Sequence, residues 1–93
     1  MTKRLQPDEI ATALDGLDGW RLEDGQLARK FVFADFFEAS GFMIRAAIWA
    51  ERLNHHPEEQ NVYRTLFVEL VTRDAGGVSA LDVELATKMN ELA

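Results

Sequence analysis

The sequence predicts an α+β domain, a four-stranded antiparallel sheet with helices packed on one face, in the order α-β-β-α-β-β-α. Segments with apolar residues at helical spacing alternate with segments rich in β-branched and aromatic residues. An Asp-Gly pair also joins two strand-like runs of alternating polarity. With 93 residues, the chain has the size of one domain, and we expect residues 1–93 to fold around a single core.

The first third of the chain predicts a short helix followed by a hairpin. Apolar residues recur at helical spacing, and Pro7 occupies a place where a first helical turn tolerates a missing N–H, so we expect a helix over about 7–16. The stretch GWRLEDGQLARKFVF alternates in polarity on both sides of Asp24-Gly25. Since Asp-Gly between alternating runs is a strong hairpin signal, this stretch predicts two antiparallel strands.

A long helix is predicted over residues 35–53. Asp35 and Glu38 have the spacing of a capping box, with Asp as the cap residue. The helix carries two apolar stripes, although a surface helix needs only one. The first is Phe36, Ala39, Met43, Ala46, Ala47, Ala50 and Leu53; the second is Phe37, Ile44 and Ile48, with Phe42 and Trp49 between them. The excess predicts that a second subunit covers this helix, in a homodimer or homotetramer formed through residues 35–53.

The remainder predicts a second pair of strands and a final helix. Between residues 60 and 73 the content of β-branched and aromatic residues rises, which indicates one long strand or two strands joined by a tight turn near Arg64. The segment DAGG at 74–77 predicts a turn. Ser79 and Asp82 then open a helix whose apolar stripe is Leu81, Leu85, Met89 and Leu92.

Composition excludes several classes of function. Sixteen acidic against ten basic residues give a formal net charge of -6, and the basic residues are scattered, so direct binding to nucleic acid is not expected. Absence of cysteine excludes a disulfide, a thiolate zinc site and a thiol nucleophile. Apolar runs are too short to span a membrane, and the first residues lack the apolar stretch of a signal peptide, so we expect a cytoplasmic protein.

The only two histidines, His55 and His56, are adjacent and followed by Pro57 where the long helix ends. Histidine can take and give protons near neutral pH, because its unperturbed pKa is about 6.5. Since Pro57 disfavours helical geometry before it, we expect the two imidazoles to face one cavity from different directions. Glu51 lies four residues before His55, within reach of its ring if the last turn stays helical. The pair is therefore a candidate for acid–base chemistry.

Three other interpretations compete. A histidine near a helix C-terminus can interact with the exposed carbonyl groups and the helix dipole. A zinc site of His55, His56 and Glu58 would require adjacent residues to share one metal, without a third histidine or a cysteine. Nucleophilic catalysis lacks a motif, because Ser40 and Ser79 lie in no nucleophile elbow. We therefore expect no metal and no other cofactor.

The segments ERLNHHPE, NVY, VT and GGVSALDVELA resemble the pterin-4a-carbinolamine dehydratase family, and LDGW and SGFM fit it as well, so the resemblance covers nearly the whole chain. It implies a compact α+β subunit that assembles through its long helix. The implied reaction is loss of water from a 4a-hydroxytetrahydropterin to give the quinonoid dihydropterin. By position, His55 would transfer protons, His56 would transfer protons or position the pterin, and Glu51 and Pro57 would support them.

Two positions depart from the family pattern. Arg73 stands where the family usually has a third histidine, and arginine cannot exchange protons at neutral pH, although it can stabilise negative charge or bind a pterin carbonyl. Asp82 matches a later Asp of the family, and we expect it to pair with Arg73. Glu59 replaces an aromatic residue. The chain is thus predicted to be either an active dehydratase or a catalytically impaired relative that serves as an oligomeric protein-interaction or assembly factor.

Overall fold

The computed structural model describes residues 2–93 and confirms the predicted fold class and element order. Its helices are α1 (Pro7–Leu14), α2 (Phe36–Arg52) and α3 (Ala80–Leu92). Its strands are β1 (Arg21–Glu23), β2 (Gln26–Val32), β3 (Glu58–Val62) and β4 (Thr65–Leu70), with a 3-10 turn at Arg73–Ala75. No helix within these described residues is both long and apolar enough to cross a bilayer.

The four strands form one antiparallel sheet in the order β1-β2-β4-β3. Asp24 and Gly25 connect β1 to β2 with φ values of 51° and 78°. Two positive φ values are those of a type I′ turn, a common two-residue connection in β-hairpins. The segment 60–73 contains two strands rather than one long strand, and the turn between them is at Tyr63-Arg64. β3 is an edge strand that begins beside the end of β4, since Glu58 lies opposite Glu69.

One hydrophobic core lies between the sheet and the helices. Alternate residues of β4 enter it, so that Leu66, Val68 and Leu70 are at most 1% exposed, whereas Phe67 faces the open side of the sheet. Helix α3 adds Leu85, Ala86 and Met89, all fully buried. Each large apolar side chain removed from water in this way contributes about 1.5–3 kcal/mol. The core packs α2 and α3 together with the sheet.

Helix α2 buries only one of its two apolar stripes. The buried positions 39, 42, 46 and 50 follow the helical period, and the second stripe remains uncovered in the subunit, with Phe37, Ile44 and Ile48 at 85%, 65% and 52% exposure. Two members of the first predicted stripe, Phe36 and Ala47, are exposed, whereas Phe42, predicted to lie between the stripes, is fully buried. Ala47 lies about 100° around the helix from the buried Ala46, which turns it away from the sheet.

Candidate active site

A left-handed turn at the end of α2 fixes the backbone of His55. Asn54 has φ 51°, and its N–H donates to the carbonyl of Glu51 at 3.1 Å while the N–H of His55 donates to the carbonyl of Ala50 at 2.9 Å. These two bonds form a Schellman motif, which satisfies the last carbonyl groups of a helix. Sequence analysis missed Asn54 as a site residue, although Asn tolerates this conformation better than most residues do.

The imidazole of His55 packs against the first turn of α3. Its side chain is 10% exposed, and its Nε2 lies 2.5 Å from Oδ1 of Asp82, whose side chain is fully buried at 0% exposure. A carboxylate can accept hydrogen bonds but cannot donate them, so Nε2 of His55 carries the hydrogen. Nδ1 is consequently the ring nitrogen of His55 that remains for proton transfer.

Asp82 uses both carboxylate oxygens inside the protein. Oδ2 accepts the backbone N–H of Ser79 at 2.8 Å and the hydroxyl of Thr72 at 2.8 Å, while Oδ1 accepts from His55. The Ser79 bond is half of the capping box at the start of α3, where Ser79 and Asp82 were predicted to begin the helix. A buried carboxylate is tolerated when donors satisfy it, and these groups do so. One carboxylate therefore caps α3 and holds His55.

His56 lies in a different environment from His55. Its side chain is 61% exposed, and its Nε2 lies 3.1 Å from Oε1 of Glu51, which is 77% exposed. Glu51 thus contacts His56, and not His55 as the four-residue spacing predicted, because the turn at Asn54 ends the helix and sends the ring of His55 toward α3. Pro57 is half-buried between His56 and the start of β3.

The predicted ion pair between Arg73 and Asp82 is wrong. Asp82 is fully buried and accepts from His55, Thr72 and Ser79. Arg73 begins the 3-10 turn after β4, and its side chain, 79% exposed, binds Oε1 of Glu58 instead. An arginine that followed Asp82 into the interior would lose its hydration, whereas Glu58 offers a partner in contact with water.

Antiparallel pairing brings the predicted site residues to one end of the sheet. β3 begins directly after Pro57, and β4 ends shortly before Thr72 and Arg73, so both segments lie at the same end, where α3 also begins. The three candidate zinc ligands do not share one site. His55 binds Asp82, His56 binds Glu51, and Glu58 binds Arg73. Across residues 2–93, no group of three or more His, Asp or Glu side chains is arranged to hold a metal ion.

Glu59 lies on the helix-covered side of β3, directly opposite the buried Val68. Desolvation in these surroundings raises the pKa of Glu59 above its ordinary value of 4.5. Glu59 is nevertheless exposed at the edge of the sheet, so water still reaches its carboxylate and the effect of this desolvation on stability is small.

The chain is similar to known proteins over nearly its whole length. Residues 3–92 match the family described as Pterin 4 alpha carbinolamine dehydratase. Two relatives named "Putative pterin-4-alpha-carbinolamine dehydratase" are similar over all of this chain. The relative from Rhodopseudomonas palustris (strain BisB18) is 52% identical, and the match covers 94% of its length. The relative from Solibacter usitatus (strain Ellin6076) is 48% identical, and the match covers 98% of its length.

A solved structure agrees with the fold as well. It is the crystal structure of a transcriptional coactivator/pterin dehydratase from Brucella Melitensis, with a TM-score of 0.95 and 46% sequence identity over 98% of this chain and 99% of that chain. The sequence match and the structural match both extend through the histidine pair, Asp82 and the helices that carry them. The chain belongs to the pterin-4a-carbinolamine dehydratase family.

Proposed function

We propose that the protein is an active 4a-hydroxytetrahydropterin dehydratase, a hydro-lyase of pterin recycling, with His55 and His56 as its proton-transfer residues. Family membership supports the pterin substrate. The observation that carries the proposal is the buried pair of His55 and Asp82, 2.5 Å apart. A fully buried carboxylate that holds one nitrogen of a histidine is an arrangement used for acid–base catalysis, because it fixes which nitrogen is free to react.

The reaction needs proton transfer and no redox step. The C–O bond at the 4a carbon breaks, an N–H bond of the pterin breaks, and a carbon–nitrogen double bond forms, with water as the second product. One proton must reach the departing hydroxyl and another must leave a ring nitrogen, so protons balance over the cycle. General acid and base groups of this kind typically contribute about 10²–10⁴-fold each to the rate.

The two histidines suit different halves of this chemistry. Asp82 accepts the Nε2 hydrogen of His55 and leaves the Nδ1 lone pair to take a proton from the pterin. His56 is 61% exposed and is assigned proton delivery to the leaving hydroxyl, or positioning of the pterin, with Glu51 orienting its ring. Arg73 is assigned to the pterin carbonyl or to developing negative charge, since a guanidinium donates hydrogen bonds but does not exchange protons at neutral pH.

A second candidate function rests on Arg73. The position usually filled by a third histidine here holds an arginine that binds Glu58, so one proton-transfer group of the family is replaced. A catalytically impaired protein could still bind partners, and the similar structure from Brucella Melitensis bears the name transcriptional coactivator as well as pterin dehydratase. In this alternative the chain acts as an oligomeric interaction or assembly factor.

The proposal includes self-association through α2, as a homodimer or a homotetramer. Phe37, Ile44 and Ile48 form an exposed apolar stripe on a helix whose other face is buried, and such stripes are usually covered by a partner. Residues 1–93 are proposed to act as one domain. The cytoplasmic location expected from the sequence stays a prediction.

The first experiment measures dehydration of freshly generated 4a-hydroxytetrahydropterin against its spontaneous rate, for the wild type and for Arg73→His. Acceleration by the wild type, lost in His55→Ala, is expected if the two histidines suffice. Activity that appears only in Arg73→His would contradict the active-enzyme proposal and favour the second candidate. In that case, pterin binding without turnover and a stoichiometric protein partner recovered by pulldown are the expected findings.

Self-association is tested with Ile44→Glu/Ile48→Glu. Burial of two carboxylates in an apolar subunit interface is unfavourable, so light scattering is expected to give the mass of a monomer. The control Thr12→Glu/Thr87→Glu adds the same charge at exposed positions of α1 and α3 and should leave the wild-type mass. An unchanged mass for the double isoleucine variant would refute assembly through α2.

A further inference from the structure

We propose that Thr72 is a positioning residue for His55, acting through Asp82; the inference deepens the proposed dehydratase function and rests on it. Thr72 follows β4 and is 7% exposed, so it is separated from bulk solvent. Its hydroxyl lies 2.8 Å from Oδ2 of Asp82 and 2.6 Å from the hydroxyl of Ser79. Thr72 is thus the connection between the sheet and the carboxylate that holds His55.

The available hydrogens determine the direction of this chain of hydrogen bonds. Thr72 and Ser79 have one hydroxyl hydrogen each, and the carboxylate of Asp82 has none. Thr72 therefore donates to Asp82, and Ser79 donates to Thr72. Asp82 in turn accepts from Nε2 of His55. The chain runs from Ser79 through Thr72 to Asp82, and it leaves one tautomer of neutral His55, with its hydrogen on Nε2.

Removal of the Thr72 hydroxyl should loosen this arrangement. Oδ2 of Asp82 would keep only the backbone N–H of Ser79, so the carboxylate could rotate and its other oxygen would no longer be held against His55. Hydrogen bonds count for more in a dry interior than in water. Loss of the hydroxyl should therefore release His55 into a mixture of tautomers, of which only one has a free Nδ1.

Thr72 permits a cleaner test than Asp82 does. Replacing Asp82 with alanine would also remove half of the cap of α3, so effects on catalysis and folding would be combined. Thr72 lies outside α3, and valine matches its shape and suits extended backbone. If Thr72 only filled space, Thr72→Val would leave the tautomer of His55 unchanged.

The experiment combines NMR of ¹⁵N-labelled histidine at mildly alkaline pH with dehydration kinetics. In the wild type, His55 is expected to show hydrogen on Nε2 that exchanges slowly with water. Thr72→Val should give mixed tautomers, about tenfold faster exchange, and a kcat about 10–100-fold lower with a smaller change in KM. Thr72→Ser should restore wild-type behaviour. Thr65→Val removes a hydroxyl from β4, away from Asp82, and should match the wild type.

An unchanged His55 tautomer and exchange rate in Thr72→Val would overturn the proposal, as would failure of Thr72→Ser to restore them. Thermal melting checks that each variant folds. If Thr72→Val does not fold, Thr72→Ala takes its place, and the same NMR measurements of the His55 tautomer and exchange rate decide the outcome. The NMR readout does not depend on turnover. A wild-type rate equal to the spontaneous rate would therefore overturn the dehydratase function and not the role of Thr72 in holding His55.

Discussion

His55 and His56 are adjacent in the chain, yet they lie in environments of opposite character. His55 is 10% exposed and held by a buried carboxylate from α3, whereas His56 is 61% exposed and meets a glutamate on the surface of α2. Both contacts join a histidine to a carboxylate, but only the first is shielded from water. Identical residue types therefore differ in tautomer control because the fold buries one pair and leaves the other solvated.

The difference also concerns sequence distance. Glu51 and His56 are 5 residues apart on either side of a helix end, so their contact is local. Asp82 and His55 are 27 residues apart, and they meet only because β3 and β4 pair and α3 returns to the end of α2. The buried contact consequently depends on the whole fold, and the surface contact depends on one helix end.

Alanine variants of the two histidines should produce the largest contrast. His55→Ala is expected to lower the dehydration rate by about 10²–10⁴-fold, as loss of a positioned base does, and His56→Ala should lower it less. His55→Ala should also reduce the free energy of unfolding by about 1–3 kcal/mol, since it leaves Oδ1 of Asp82 buried without a donor. His56→Ala should stay within about 0.5 kcal/mol. Equal or reversed rate losses would contradict the assignment.

Amide variants of the two carboxylates sharpen the same comparison. In Asp82→Asn, the side-chain NH₂ can donate to Nε2 of His55, which would move the ring hydrogen to Nδ1 and lower the rate by about 100-fold or more. In Glu51→Gln, water can replace the exposed contact, so we expect a change of no more than several-fold. Steady-state kinetics measure both, and circular dichroism confirms folding. Equal losses would mean that burial does not separate the two pairs.

Glu59 should produce the smallest effect, seen in the pH dependence of stability. Desolvation raises the pKa of Glu59 above 4.5 in the folded protein, so the folded state binds this proton more tightly than the unfolded state does. Its contribution to stability is thus fully present below pH 4.5 and is lost as pH rises through the folded pKa.

Thermal melts from acid to neutral pH test this expectation. Glu59→Gln should show a smaller loss of stability across that window than the wild type, because its amide does not ionise. Glu84→Gln serves as the control, since Glu84 is exposed on α3 and an amide there also removes one ionisable carboxylate. A parallel pH dependence for Glu59→Gln and the wild type would show that Glu59 is hydrated in the folded protein.

Most of the fold could be predicted from local signals. Asp24-Gly25 identifies the first hairpin, and Asp35, Ser79 and Asp82 mark the starts of α2 and α3, because turns and caps depend on residues close together in the chain. The second hairpin remained ambiguous, since Tyr63-Arg64 contains neither Gly nor Asn. Tyr63 adopts φ 55° in that turn, a conformation unusual for a tyrosine, which no propensity indicates.

The site was predicted in its members but not in its contacts. His55, His56, Glu51 and Asp82 all lie at one end of the sheet, yet Glu51 contacts the other histidine, and Asp82 binds His55 and not Arg73. The sequence indicates only a strand residue at Thr72, because its β-branched side chain suits a strand and its hydroxyl has no recognisable local partner. Nothing in the sequence singles out Asn54, because its importance lies in backbone conformation.

By itself, the sequence determined the fold class, the family, the caps and the histidine pair that we propose for proton transfer, since each depends on residue type and short spacing. Only the tertiary structure decided which histidine is buried and which partner each one has. Burial depends on how α2, α3 and the sheet pack together, and a carboxylate finds its donors only after that packing has removed water. The same His-His pair would be two equivalent surface residues without the fold that brings Asp82 and Thr72 to one of them.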